Sequence, residues 1–201
     1  MTQILPSHTE MNSIKIENYT AVFGESFTLN NINWTLEPNQ HWVITGANGS
    51  GKSALSAILA GAGERISGSI SGLPKHIEIV SFEAQAELIE RELKKDDADI
   101  MDVISEGTPV REILEEGKAI YPEFDSALLD QLVAMFKLEP MLDRSFRKLS
   151  TGETRKIMLI RALANNPDLI ILDEPFDGLD AASMQLLQDL LKSKIDAMAM
   201  V

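Results

Sequence analysis

Gly46-Ala47-Asn48-Gly49-Ser50-Gly51-Lys52-Ser53 is the stretch that decides the fold. It matches G-x-x-x-x-G-K-[ST] at every fixed position. Glycine lets the backbone curl until successive N–H groups point inward, and a following helix adds its positive end, so the segment makes a cradle for a polyphosphate. Lys52 then places a cation at the outer phosphates, the Ser53 hydroxyl can ligate Mg²⁺, and Gly46, Asn48, Gly49, Ser50, Gly51 and Ala54 complete the cradle. The plainer alternative is a flexible Gly/Ser turn carrying a chance lysine. Context argues against it. His41-Trp42-Val43-Ile44-Thr45, just before, reads as a short strand, and Ser53 to Ala60, just after, has a helical pattern. Strand, glycine loop and helix in that order belong to an α/β domain. The loop alone specifies a nucleoside triphosphate, not a reaction.

Working outward, Ile14-Lys15-Ile16-Glu17 and Ile32-Asn33-Trp34-Thr35-Leu36 alternate at period two and read as half-exposed strands. Glu37-Pro38-Asn39-Gln40 closes the second. Ile77-Glu78-Ile79-Val80-Ser81 reads as a buried strand. From Glu83 to Arg144 the pattern turns helical and acidic, interrupted at Thr108-Pro109 and Tyr121-Pro122, as expected of an inserted helical lobe. Ser150 opens a helix that ends near Asn165-Asn166-Pro167. Leu169-Ile170-Ile171-Leu172 is a continuous apolar run, the kind buried on both faces of a parallel sheet. A last helix is expected from Ala181 to Lys194, and residues 1–12 read as a loose tail.

The 201 residues suit one domain with an inserted lobe. A hydrophobic share of 44% excludes a disordered chain. With no cysteine, disulfide scaffolds, zinc fingers, iron–sulfur ligation and thiol catalysis are excluded. His8, His41 and His76 are scattered and form no ligand cluster. The net charge of −13 repels phosphate backbones, so direct nucleic-acid binding is disfavoured. Glu83–Asp130 holds 15 acidic and 5 basic side chains, so one segment carries most of that repulsion. No run approaches the roughly 18 apolar residues of a membrane span. Met1–Asn12 lacks a basic stretch followed by an apolar one, so no secretory signal is expected and the chain reads as cytoplasmic.

Two further segments carry chemistry. Leu169–Leu172 ends in Asp173-Glu174, which delivers Asp173 beside the phosphate site, where it can hold Mg²⁺ through its water shell. Glu174, one residue on, can reach the attacking water as general base. Leu149-Ser150-Thr151-Gly152-Glu153 lies 23 residues before the first acid. Ser150 and Glu153 form the capping box S-x-x-E, and a helix N-terminus with a serine and a glycine is also a second anion site.

Together these segments resemble the nucleotide-binding domain of ATP-binding-cassette (ABC) proteins. Leu149–Glu153 is similar to that family's L-S-G-G-Q signature, and Asp177-Gly178-Leu179-Asp180, after Glu174-Pro175-Phe176, resembles its D-loop. Phe23 lies where the family usually has an aromatic that stacks on adenine. Leu149–Lys156, Asp173–Asp180 and Val80–Glu83 are closer still to a subfamily, the ModF type, labelled molybdenum-transport ATP-binding or photorepair proteins, which carry two cassettes per chain; this chain would match the first, cut short. The resemblance implies a P-loop NTPase of ABC type: a mixed or parallel core sheet, an N-terminal antiparallel β subdomain and an inserted helical subdomain. Residues 13–82 and 145–201 would form the core and 83–144 the helical lobe.

The resemblance also implies ATP and Mg²⁺ as ligands, and a head-to-tail pair in which Ser150, Gly152 and Asp180 of one cassette face the nucleotide of another, in the same longer chain or in a homodimer. A membrane permease is a further implied partner, which would place the cassette in the cytoplasm or at the inner face of the membrane. The family's Q-loop glutamine falls by register on Glu83, with Gln85 two residues on; either could sense Mg²⁺ and water. Thr151 and Glu153 depart from the signature's glycine and glutamine, adding a Cβ and a charge to a crowded anion site. The family's last core strand and switch histidine would lie beyond Val201, so hydrolysis by this chain alone is expected to be weak or nil. An energy-coupling ATPase and a nucleotide-dependent interaction module with little hydrolysis both stay open. A ribosome-bound relative would need basic arms, which the acidic segment argues against.

Overall fold

The computed structural model describes residues 12–24, 27–97 and 107–198. The chain divides between Ile77 and Glu78 into two compact units.

The first unit is built on three antiparallel strands. β1 (Ile14–Phe23) lies between β2 (Phe27–Leu36) and β3 (Glu64–Ser71). Both alternating runs lie within strands, and the alternation becomes burial: Ile14 and Ile16 are buried while Lys15 and Glu17 are exposed. β3 has no counterpart in the sequence reading, because its Ser- and Gly-rich residues are almost all exposed and carry no apolar period. It approaches β1 closely at Gly68, where φ is +78° and a Cβ would sit 2.3 Å from the Asn18 carbonyl oxygen, beside a register shift between Glu17 and Thr20. Only glycine fits there. After β2 and the glycine loop comes α1 (Lys52–Leu59), which buries Ile58 and Leu59.

The strand expected over His41–Thr45 is not formed. That run is irregular and exposed, Val43 to 87%. A strand exists through its ladder of hydrogen bonds, and among the described residues no strand pairs with this run. Trp42 is anchored otherwise: its ring meets Trp34 edge-on at 5.5 Å, and its Nε1 donates to Gln40 Oε1 at 3.2 Å.

β4 (Ile77–Val80), all but its first residue in the second unit, and β5 (Leu169–Leu172) form a two-stranded parallel sheet. β5, expected to be buried on both faces, is half-buried along its length, since β4 is its one paired neighbour among the described residues. Helices α2 (Phe82–Asp97), α3 (Val110–Glu115), α4 (Ser126–Met135), α5 (Thr151–Ala164) and α6 (Ala181–Met198) complete the unit. Pro109, lacking an N–H, stands before α3, and Asp125 caps α4 by accepting from Leu128 N at 2.9 Å. The core gathers Val110, Ile113, Leu132, Leu138, Phe146, Ile157, Ile160 and Leu187. α5 packs against α3 and α4 and is buried nearly all round, the mark of a central helix. The architecture is α/β, with an antiparallel N-terminal sheet, a parallel sheet and helices.

Candidate functional site

In the first unit, residues 46–50 are exposed. Gly49 and Gly51 have φ of +78° and +97°, the left-handed region that lets the loop curl. Gly51 is the last residue before α1, and no side chain caps that helix; its first-turn N–H groups are left for a ligand. A Cβ at Gly51 would press on Leu29 at 3.0 Å and Phe27 at 3.2 Å, so β2 backs the loop. A Cβ at Gly46 would meet Ser50 Oγ at 2.8 Å, and Ser50 N donates to Ala47 O at 3.2 Å. Lys52 Nζ donates to the carbonyls of Gly46 at 3.0 Å and Ala47 at 3.1 Å. Asn48 and Ser53 are exposed and Ala54 is half-buried. Convergent backbone donors, an uncapped helix start and one ammonium group form a donor set that fits a polyphosphate. Phe23, at the end of β1, packs on Gly63 and lies 6.3 Å from the Phe27 ring. It is thus one ring removed from the loop.

In the second unit, Asp173 and Glu174 follow β5 directly, with Asp173 N donating to Val80 O at 2.9 Å. Glu174 is exposed and has φ of +48°, uncommon for a residue with a side chain. Its carbonyl accepts from Asp177 N at 3.1 Å and from Arg155 Nη2 at 2.9 Å. The same Nη2 reaches the Asp173 carbonyl at 2.6 Å. Burial pulls the Arg155 pKa down, opposed by Asp177, Asp173, Glu174 and Glu83.

The capping box is present: Glu153 N donates to Ser150 Oγ at 3.3 Å, and Ser150 N donates to Glu153 Oε2 at 2.7 Å. That backbone bond, more than the Arg144 ion pair at 3.0 Å, holds the Glu153 carboxyl below its usual range. The charge that departs from the signature is therefore tied down, and Thr151 faces solvent. Gly152 packs so tightly that a Cβ would sit 2.3 Å from the Gly178 carbonyl oxygen. Gln85 is buried, its Nε2 3.5 Å from the Thr151 carbonyl, whereas Glu83 is exposed at the start of α2. Asp180 caps α6 through Ser183 N at 2.9 Å and pairs with Lys156. The Lys156 bond and then the cap hold its carboxyl well below the usual range.

Gln85, Asp173, Glu174 and Asp180 are thus each bonded to a residue in the first half of α5, the helix that Ser150 caps and whose first turn holds Gly152. Arg155 and Lys156, which make several of those links, and Gly178 were not singled out as site residues from the sequence. No local pattern marks Arg155, since α5 also carries Glu153, Lys156 and Arg161. Among the described residues no three His, Cys, Asp or Glu side chains cluster as a metal site. Magnesium suits such a setting, since it takes one or two protein oxygens and completes its shell with phosphate and water.

Residues 29–177 match the family model described as ABC transporter. The ABC transporter ATP-binding protein ModF of Escherichia coli (strain K12) is 38% identical over 185 residues, 91% of this chain and 37% of the relative. A zinc import ATP-binding protein, ZnuC of Mannheimia succiniciproducens, is 29% identical over 188 residues, 90% of this chain and 64% of the relative. A solved structure of a metal-chelate type ABC transporter in an inward-facing conformation aligns with a TM-score of 0.62 and 26% identity, over 94% of this chain and 69% of that one. The chain spans less than two thirds of the length of these two relatives.

Proposed function

The chain belongs to the ABC transporter family, and on that premise we propose that it is an ATP-binding, ATP-hydrolysing cassette acting as one half of a head-to-tail nucleotide pair. The observation that carries this reading is the Gly46–Ser53 loop, with its left-handed glycines, uncapped helix start and Lys52 ammonium. The backbone N–H groups of the loop and Lys52 take the phosphates, and Phe23 offers a face to the base. Mg²⁺, when bound, would neutralise charge that develops on the phosphates; the residues that would hold it are Ser53 on the loop and, from the second unit, Asp173, with Glu83 or Gln85 as the groups that would sense its water. Glu174 orients the attacking water and accepts its proton. Ser150, Gly152 and Asp180 face the nucleotide of the second cassette, supplied by a longer chain or by another copy. Residues 13–82 and 145–201 form the ATP-binding core and 83–144 the helical lobe. A membrane permease is the partner that hydrolysis would drive, with the cassette at the cytoplasmic face. The molybdenum label belongs to the subfamily resemblance, and the names of other relatives point to zinc and to metal chelates.

A second reading, a nucleotide-dependent interaction module with little hydrolysis, is favoured by Thr151 and Glu153 at the signature. One experiment separates the two. In the longest natural chain carrying this cassette, Glu174→Gln leaves MgATP binding in place and slows phosphate release by about 10²–10⁴-fold. Equal phosphate release by both proteins would remove Glu174 from its role and favour the interaction module. Absence of any calorimetric heat with MgATP, in wild type and in Lys52→Ala alike, would end both readings.

A further inference from the structure

Arg155 is 4% exposed. A buried guanidinium is costly unless its donors are met, yet among the described residues its Nε and Nη1 have no hydrogen-bond partner. The bonds it does make come from one nitrogen: Nη2 donates to the main-chain carbonyls of Asp173 at 2.6 Å and Glu174 at 2.9 Å. Neither bond touches a carboxylate, although Asp173, Glu174, Asp177 and Glu83 all act electrostatically on the group. The charge is spent on the path of the backbone.

That path is strained. Glu174 holds φ at +48°, a conformation that persists in a residue with a Cβ only where the surroundings over-determine it. Two donors converge on its carbonyl, Asp177 N and Arg155 Nη2. The first lies within the same turn. The second comes from α5, where Gly152 of the first turn packs against Gly178, four residues beyond Glu174. The acidic turn is thus tied to α5 at two places, one a steric contact and one a charged fork.

The geometry points to Arg155 as a positioning residue: its Nη2 bonds to the Asp173 and Glu174 carbonyls hold the acidic turn to α5 and so set where the Glu174 carboxylate is presented. This rests on the reading of Glu174 as the water-orienting group. Arg155 touches no reacting atom and acts through Glu174 alone.

The test uses Arg155→Met and Arg155→Lys in the longest natural chain that carries the cassette, with Glu174→Gln and the double variants. Misplacing a catalytic group by about 1 Å can cost on the order of 10²-fold. Arg155→Met is therefore expected to lower kcat by about that factor with KM for ATP nearly unchanged, and Arg155→Lys, which keeps a charged donor, to recover part of it. In the Glu174→Gln background neither substitution slows hydrolysis further. Without nucleotide, amide hydrogen exchange over residues 173–178 speeds up in Arg155→Met while exchange over α3 and α4 does not. Unchanged exchange over 173–178, additive effects with Glu174→Gln, or a loss confined to KM would overturn the assignment. Should Arg155→Met not fold, Arg155→Lys is read by the same exchange and kcat criteria. Should Glu174→Gln leave hydrolysis intact, it is the role of Glu174 that fails, and the exchange result alone decides whether Arg155 holds the turn.

Discussion

The glycine loop of the first unit and the acidic turn of the second are organised by different physics. Residues 46–53 are shaped by their own backbone: left-handed glycines, a turn closed from Ser50 to Ala47, and a lysine that bonds back to loop carbonyls. Residues 173–180 are shaped from a distance, by Arg155 and Lys156 on α5 and by the Gly152–Gly178 contact. A binding cradle can be written into consecutive residues, because what it needs is backbone conformation. A water-orienting carboxylate needs its position fixed in three dimensions, and that takes packing.

The contrast can be broken by experiment. The largest effect is expected from Lys52→Ala, which removes one preorganised donor and should cost about 10²–10³-fold in turnover, read by phosphate release. An effect under about threefold would mean that the loop binds by backbone alone. Next comes Gly152→Ala. Its Cβ must displace the Gly178 carbonyl, so overpacking should destabilise the second unit by about 1–3 kcal/mol, measured by denaturant unfolding. Gly49→Ala sharpens the comparison. Nothing lies within 4 Å of its Cβ, so the cost should be backbone strain alone, about 1–2 kcal/mol, with exchange in the second unit unaltered. Ser150→Ala removes one cap bond and should cost about 1 kcal/mol.

The smallest effect is the dependence on acid. The Asp180 carboxyl titrates lower in the folded chain than an ordinary aspartate, at about 3.9. Its contribution to stability is therefore present above that value and lost as pH falls below it. Because the side chain is 55% exposed, solvent screens the Lys156 pair and the loss should be slight. Acid titration of Asp180→Asn beside the parent chain measures it. Identical curves would show that the pair does nothing for folding.

The same contrast explains what could be read from the sequence. The glycine loop, the capping box at Ser150 and the apolar run before Asp173 are local patterns, and each stands where expected. β3 escaped because its pairing rests on the backbone approach at Gly68 rather than on apolar alternation. His41–Thr45 misled in the opposite direction: the residues suit a strand, but a strand also needs a neighbour. Arg155 went unnoticed because its partners are 18 and 19 residues away and are main-chain atoms, which leave no trace in residue type.

The bonds from Lys52 to its own loop have a last consequence. With the ammonium resting on the Gly46 and Ala47 carbonyls, the cradle already holds an internal rival to its ligand, and any measured affinity is the difference between two occupancies. On the proposed reading, a nucleotide with too few phosphates to draw the lysine away would bind against that resident, so the loop itself would discriminate by tail length.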